Sequence, residues 1–171
     1  MSLGAKVFGG VSAAFILFLL GGLLLPGTWK AETVTILPAP PSAVFPYLNG
    51  MEGWVQWNPM PESGSEIQGP PEGVGATLSW DDAQYGKGEA RILASEEDGG
   101  IEYEVLIEGG SLRIQGSFLL APEEGGTRLQ WVETGDFGWN PLLGYAARGM
   151  GESQAEAMRW KLETLRALLE K

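Results

Sequence analysis

Two side chains combine the type and the position needed for chemistry: Tyr103 and Glu133. Tyr103 belongs to the alternation Ile101, Tyr103, Val105, Ile107, with Glu102, Glu104 and Glu108 on the opposite parity. That period of two marks a half-buried strand. A phenol on its apolar side needs a hydrogen-bond partner, either a ligand or a backbone carbonyl. Glu133 shares the parity of Leu129 and Trp131. Turned inward, it could serve as a general acid or base. At a frayed strand end it would lie in water, and the rarity of unpaired buried Glu favours that second position.

What the sequence lacks narrows the chemistry further. Its 171 residues include no His and no Cys. Serine triads, thiolate nucleophiles, disulfides, and His- or Cys-ligated metals are therefore excluded. The net charge of −11 argues against a nucleic-acid partner, because that affinity comes mostly from Lys and Arg on phosphates. Glu96-Glu97-Asp98 reads as a hairpin tip and lacks the alternating ligand positions of a calcium loop. Asp136, in Gly135-Asp136-Phe137-Gly138, reads as a turn or cap residue. Gly73/Gly75 and Gly86/Gly88 do not continue into a phosphate loop. No cofactor, metal or catalytic motif is assigned.

The elements that must position Tyr103 and Glu133 follow from periodicity. Val34 and Ile36 open a first strand. Ala76, Leu78 and Trp80 make another, and Ala90, Ile92 and Ala94 a third. After the Tyr103 strand come Leu112, Ile114, Gly116, Phe118 and Leu120, then Leu129 and Trp131. Asp98-Gly99-Gly100, Glu108-Gly109-Gly110 and Glu124-Gly125-Gly126 supply the hairpin turns, so the strands form an antiparallel meander. Residues 41–57 read as one or two short helices, limited by Pro46. From Gly151 the period changes: Gly151, Ala155, Met158, Leu162, Leu165 and Leu169 form one stripe of a long amphipathic helix. Arg159/Glu163 and Arg166/Glu170 are expected as pairs on its wet face.

The run from Val7 to Leu25 carries no charge. At 1.5 Å per residue it spans roughly 28 Å, close to the ~30 Å hydrocarbon core of a bilayer. It is expected to be an uncleaved single-pass transmembrane helix, stopped by Pro26-Gly27, with Trp29 and Lys30 at the interface. Residues 1–30 are then an anchor and short linker, and residues 31–171 the domain. Lys6 and the N-terminal amine favour an N-terminus inside the cytoplasmic membrane and the domain outside.

The order of elements, with APPSAVFPYLNGMEGWVQWNP at 39–59, GVGATLSW at 73–80, YGKGEARI at 85–92 and EEGGTRLQWVETGDFGWNP at 123–141, resembles the START-like (SRPBCC) superfamily. Within it, the chain is most similar to the polyketide cyclase/dehydrase-like branch with an N-terminal anchor. The resemblance covers about Thr33 to Leu169. It implies an α+β helix-grip fold, in which an antiparallel sheet wraps the long C-terminal helix around an apolar cavity. It also implies a hydrophobic small-molecule partner, a lipid or a polycyclic, polyketide-like compound. It implies no reaction.

The candidate cavity residues are Trp54, Trp57, Leu78, Trp80, Tyr103, Val105, Ile114, Phe118, Trp131, Glu133 and Met158. Trp54 and Trp57 would gate the cavity mouth or simply pack the core. Met158 would form an adaptable wall or ordinary core. Three functions remain open. The first is a membrane-tethered binding module. The second is a cyclase/dehydratase-type enzyme using a carboxylate or Tyr. The third is a protein-interaction module of the chaperone-activator kind. The oligomeric state is not readable.

Overall fold

The computed structural model describes residues 3–59, 64–83, 86–138 and 140–171, with side chains described from Gly10 onward. The side chains of Lys6, Val7, Phe8 and Gly9, and all of Tyr85 and Trp139, lie outside the described residues. Helix α1 (Leu3–Leu23) precedes β1 (Thr28–Leu37) and three short helices, α2 (Pro41–Val44), α3 (Pro46–Asn49) and α4 (Met51–Trp57). Then come β2 (Ser65–Gln68), β3 (Thr77–Asp82), β4 (Gly86–Glu96) and β5 (Gly100–Ile107). A single 3-10 turn, Glu108–Gly110, leads to β6 (Leu112–Glu123), β7 (Gly126–Asp136) and α5 (Pro141–Leu169).

The strands form one antiparallel sheet in the order β1-β7-β6-β5-β4-β3-β2. The meander runs from β2 to β7, and β1 returns to pair with β7 along its whole length. Helix α5 covers the inner face, burying Ala155, Met158, Leu162 and Leu165 against the sheet. Asn140 starts it by accepting a hydrogen bond from the Leu142 amide, with Pro141 at the first helical position. The result is an antiparallel sheet curved around a C-terminal helix, the helix-grip arrangement.

Four local expectations are corrected. Val34 and Ile36 face outward, while Trp29, Ala31, Thr33 and Leu37 are buried. The strand begins at Thr28, so Trp29 and Lys30 belong to the sheet rather than to a linker. Trp29 sets the parity of β1: its indole lies against Gly135, where an added Cβ would meet the ring at 2.3 Å. Ala94 is exposed because a bulge between Ile92 and Ala94 breaks the alternation of β4. Arg166 bonds to the Thr35 hydroxyl at 2.8 Å and pairs with Glu163 at 3.6 Å, not with the expected Glu170.

At its C-terminal end α1 leans on the start of α5. The Phe18 and Tyr145 rings stack at 4.5 Å, and the Tyr145 hydroxyl donates to the Phe18 carbonyl at 2.8 Å. Among the described residues no helix is long and apolar enough to cross a membrane. The expected transmembrane anchor is therefore not supported there.

Candidate functional site

A cavity of about 230 Å³ lies between the sheet, α4 and α5. Trp54 and Trp57 of α4 wall one side, and Trp80 of β3 and Ala90 of β4 another. Tyr103, Val105 and Ile107 of β5, Ile114 and Phe118 of β6, and Trp131 and Glu133 of β7 form the sheet side. Gln154 and Lys161 reach in from α5, and Asn58 and Pro59 close the rim. A larger hollow of about 490 Å³ opens beside β2, β3 and β4, lined by Glu66, Asp81, Lys87, Glu89 and glycines. Those side chains are largely solvated, so they define no enclosed environment. Trp80 lines both spaces.

The aromatic wall is rigid because its rings brace one another. Trp54 meets Tyr103 edge-on at 4.8 Å, and Tyr103 stacks on Phe118 at 5.4 Å. Phe118 meets Trp131 at 4.9 Å, and Trp57 meets Trp131 edge-on at 5.6 Å. Such pairs add about 0.5–1.5 kcal/mol each beyond area burial. The indole N–H groups of Trp54 and Trp57 are spent on the Leu48 and Tyr47 carbonyls, at 2.6 and 2.9 Å. Both tryptophans therefore pack the core and line the cavity, presenting ring surface rather than a donor. Trp80 Nε1 and Asn58 Oδ1 are buried without a hydrogen-bond partner among the described residues. The wall thus keeps an unused donor and an unused acceptor.

The polar end of the cavity is built by strand register. Tyr103 pairs with Gly116, and Gly116 with Glu133, so the three stand side by side on adjacent strands. A Cβ on Gly116 would fall 2.0 Å from the Tyr103 ring, so only glycine lets the phenol lie flat over the middle strand. The Tyr103 hydroxyl crosses it and donates to Glu133 Oε1. That same hydroxyl accepts from Trp131 Nε1 at 2.7 Å, and Gln154 Nε2 donates to Glu133 Oε2 at 2.6 Å. Both carboxylate oxygens are thereby satisfied, which is what a charge removed from water requires. Burial, reinforced by the Glu133 charge, pushes the Tyr103 phenol well above its ordinary range. At neutral pH it is a hydrogen-bond donor, not a base. Burial also lowers the Lys161 ammonium, and the Glu133 charge partly offsets this. The Lys161 Nζ stands 5.8 Å from the Trp131 ring centroid.

Of the expected cavity residues, Trp54, Trp57, Trp80, Tyr103, Val105, Ile114, Phe118, Trp131 and Glu133 line the space. Leu78 and Met158 are buried in the core but are not among the residues lining it. Glu133, for which the sequence weighs an inward position against a wet strand end and favours the latter, is only 5% exposed. The strand does not fray there, because β7 continues to Asp136 with β1 on one side and β6 on the other. Gln154 and Lys161 are cavity residues that the sequence reading does not include. Seven residues apart, they flank Met158 on the inward stripe of α5, and that spacing was the available signal. Asp136 accepts from the Gly138 amide at 2.7 Å, the turn role expected of it.

Comparison with known proteins places this geometry in context. The family model described as polyketide cyclase/dehydrase and lipid transport matches residues 28–170. No curated protein matches the chain. Among solved structures, protein MLL2253 from Mesorhizobium loti is 19% identical with a TM-score of 0.60, covering 82% of this chain and 96% of that one. Ara h 8.0201 is 18% identical with a TM-score of 0.62, covering 84% and 98%. The di-domain ARO/CYC protein BexL is 15% identical with a TM-score of 0.61, covering 85% of this chain and 51% of its own. At these identities the likeness is one of fold.

Proposed function

The chain belongs to the polyketide cyclase/dehydrase and lipid transport family, and from that premise we propose that it binds a small, largely apolar, ring-bearing molecule in the cavity beneath α5. One observation carries this reading. A braced aromatic wall ends on a polar cluster, Tyr103, Glu133 and Gln154, whose members are already fixed by one another. Binding would desolvate the molecule against Trp57, Phe118 and Trp131 and orient its polar end on that cluster. The volume of about 230 Å³ is below the ~300–1,000 Å³ of drug-sized sites, so it favours one or two rings over a full acyl lipid.

A cyclase/dehydratase activity is the second reading. What favours it is the buried Tyr103–Glu133 pair, a donor and a carboxylate on the wall of one cavity. We also propose that residues 7–25 rest in a membrane with the domain on its outer side. Supporting this, the segment has no charge between Lys6 and Lys30, and Val11, Phe15, Ile16, Leu17 and Leu24 are exposed. Release of the full chain from membranes by alkaline carbonate would overturn the anchor.

The binding reading is tested by titrating the full chain with naphthalene and 2-naphthol while following tryptophan fluorescence. Saturable quenching at one copy per chain is expected, with 2-naphthol the tighter. No saturable binding of either compound would refute a ligand cavity and leave the protein-interaction role.

A further inference from the structure

The binding reading gives no role to the Lys161 amine, which also lines the cavity. We propose that Lys161 is a nucleophile that captures an aldehyde or ketone group of the cavity's occupant as an imine. The proposal rests on the binding reading above and adds covalent chemistry to it. Three observations carry it.

Lys161 is set apart from the chain's other described lysines by its surroundings. It lines the cavity beside Trp131. Lys30 and Lys87 are paired at the surface with Glu32 and Asp81, and Lys171 is exposed at the chain end. Second, Lys161 makes no hydrogen bond or salt bridge to any described residue. The carboxylate that faces it, Glu133, has one oxygen taken by Tyr103 and the other by Gln154. The amine is therefore held near a negative charge without being engaged by it. Third, Trp57 stands steeply to Phe118 and Trp131, at 74° and 81°, so a planar occupant lying flat on one ring would meet the other edge-on, a restriction on its orientations. That restriction is the entropic gain of an intramolecular reaction.

The lowered basicity of Lys161 agrees with this geometry. An amine must be neutral to attack, and desolvation in an apolar pocket is an established way to free its lone pair. The step balances without a further reactant. The Nζ lone pair forms a bond to the carbonyl carbon, and one N–H proton passes to the carbonyl oxygen. The second N–H proton leaves with that oxygen as water, and the C=N bond forms. The product is reversible and is fixed only when a hydride donor reduces it.

The test uses the full chain with 2-naphthaldehyde at neutral pH and sodium cyanoborohydride as the trap. Peptide mapping should find the mass of the aldehyde less its oxygen atom on Lys161. Labelling there should be at least about tenfold faster than at Lys30, Lys87 or Lys171, as expected for a positioned amine. 2-Naphthalenemethanol, which has the rings but no carbonyl, should protect Lys161. Lys161→Arg should lose the adduct while still binding the alcohol. If the alcohol binds but Lys161 is labelled no faster than the surface lysines, the nucleophile is refuted and the cavity stands. If neither compound binds, both readings fail. The protection experiment needs no variant, so a misfolded Lys161→Arg would not obscure the answer.

Discussion

Tyr103 reaches Glu133 two strands away because the residue between them, Gly116, has no side chain. Adjacent strands lie about 4.8 Å apart, so a ring on β5 that bonds to β7 must lie over the intervening position, where a Cβ on Gly116 would meet it at 2.0 Å. The tyrosine is long enough to span the gap, and the glycine leaves it open. Trp131 and Gln154 then complete the hydrogen bonding from either side. The polar end of the cavity is thus a property of strand register, and substitutions in that row should disturb it in distinguishable ways.

Gly116→Ala places a methyl group where the Tyr103 ring now lies. Overpacking of this kind costs about 1–3 kcal/mol, and a urea melt should show it as a lowered midpoint. In a Tyr103→Val background the same alanine should cost much less, since the ring it strikes is gone. Equal costs in both backgrounds would mean that the ring does not rest on Gly116.

Tyr103→Phe keeps the ring and removes the hydroxyl. Glu133 Oε1 and Trp131 Nε1 then lose their partner in a buried site, at about 1–3 kcal/mol. The pH dependence has a definite sign. The phenol is raised in the folded chain, so folding favours its protonated form. That contribution is complete below the ordinary phenol value of about 10. It disappears as pH rises from there through the folded value. Urea midpoints should therefore fall above about pH 10 in the wild type and fall less steeply in Tyr103→Phe. Identical alkaline slopes would show that another group controls this limb.

The sheet was legible in the sequence wherever alternation was uninterrupted. Ile101, Tyr103 and Phe118 face inward as their parity requires. The failures are local. The apolar run before β1 hides its start, so alternation does not show the burial of Trp29 and puts Val34 and Ile36 on the wrong face. Alternation does not reveal that β1 runs beside β7 past Glu133, which is why a frayed end competes there with an inward position. Ala94 was lost to a bulge, which parity alone does not reveal. Gln154 and Lys161 are not visible in a stripe drawn through apolar residues, which omits long polar chains at its margins, and such chains can extend inward from there.

Ile114→Phe tests whether the open space matters. Ile114 is half-buried on the cavity wall, and a phenyl ring would project into the volume a ligand needs. Stability should change by less than about 1.5 kcal/mol, because the added atoms enter space rather than a packed contact. Binding of 2-naphthol should weaken by about tenfold or more, the loss of roughly one buried ring contact. Unchanged affinity would move the binding site elsewhere.

Lys161→Met separates the cost of a buried cation from the packing of its stem. Burial lowers the Lys161 amine, so the folded chain disfavours its charged form. At neutral pH the amine is still largely protonated in the unfolded chain, and folding must bear the desolvation. Methionine removes that charge and keeps most of the chain length. The variant should therefore have the higher urea midpoint at pH 7. The sign of the pH effect is opposite to that of Tyr103. Wild-type stability should recover as pH rises through the lowered folded value toward the ordinary lysine value of about 10.4, narrowing the gap between the two proteins. A gap that stays constant from pH 7 to about pH 11 would assign the difference to packing. A lower midpoint for Lys161→Met at pH 7 would show that the attraction of Glu133 and Trp131 outweighs desolvation, and that the amine is held as a cation.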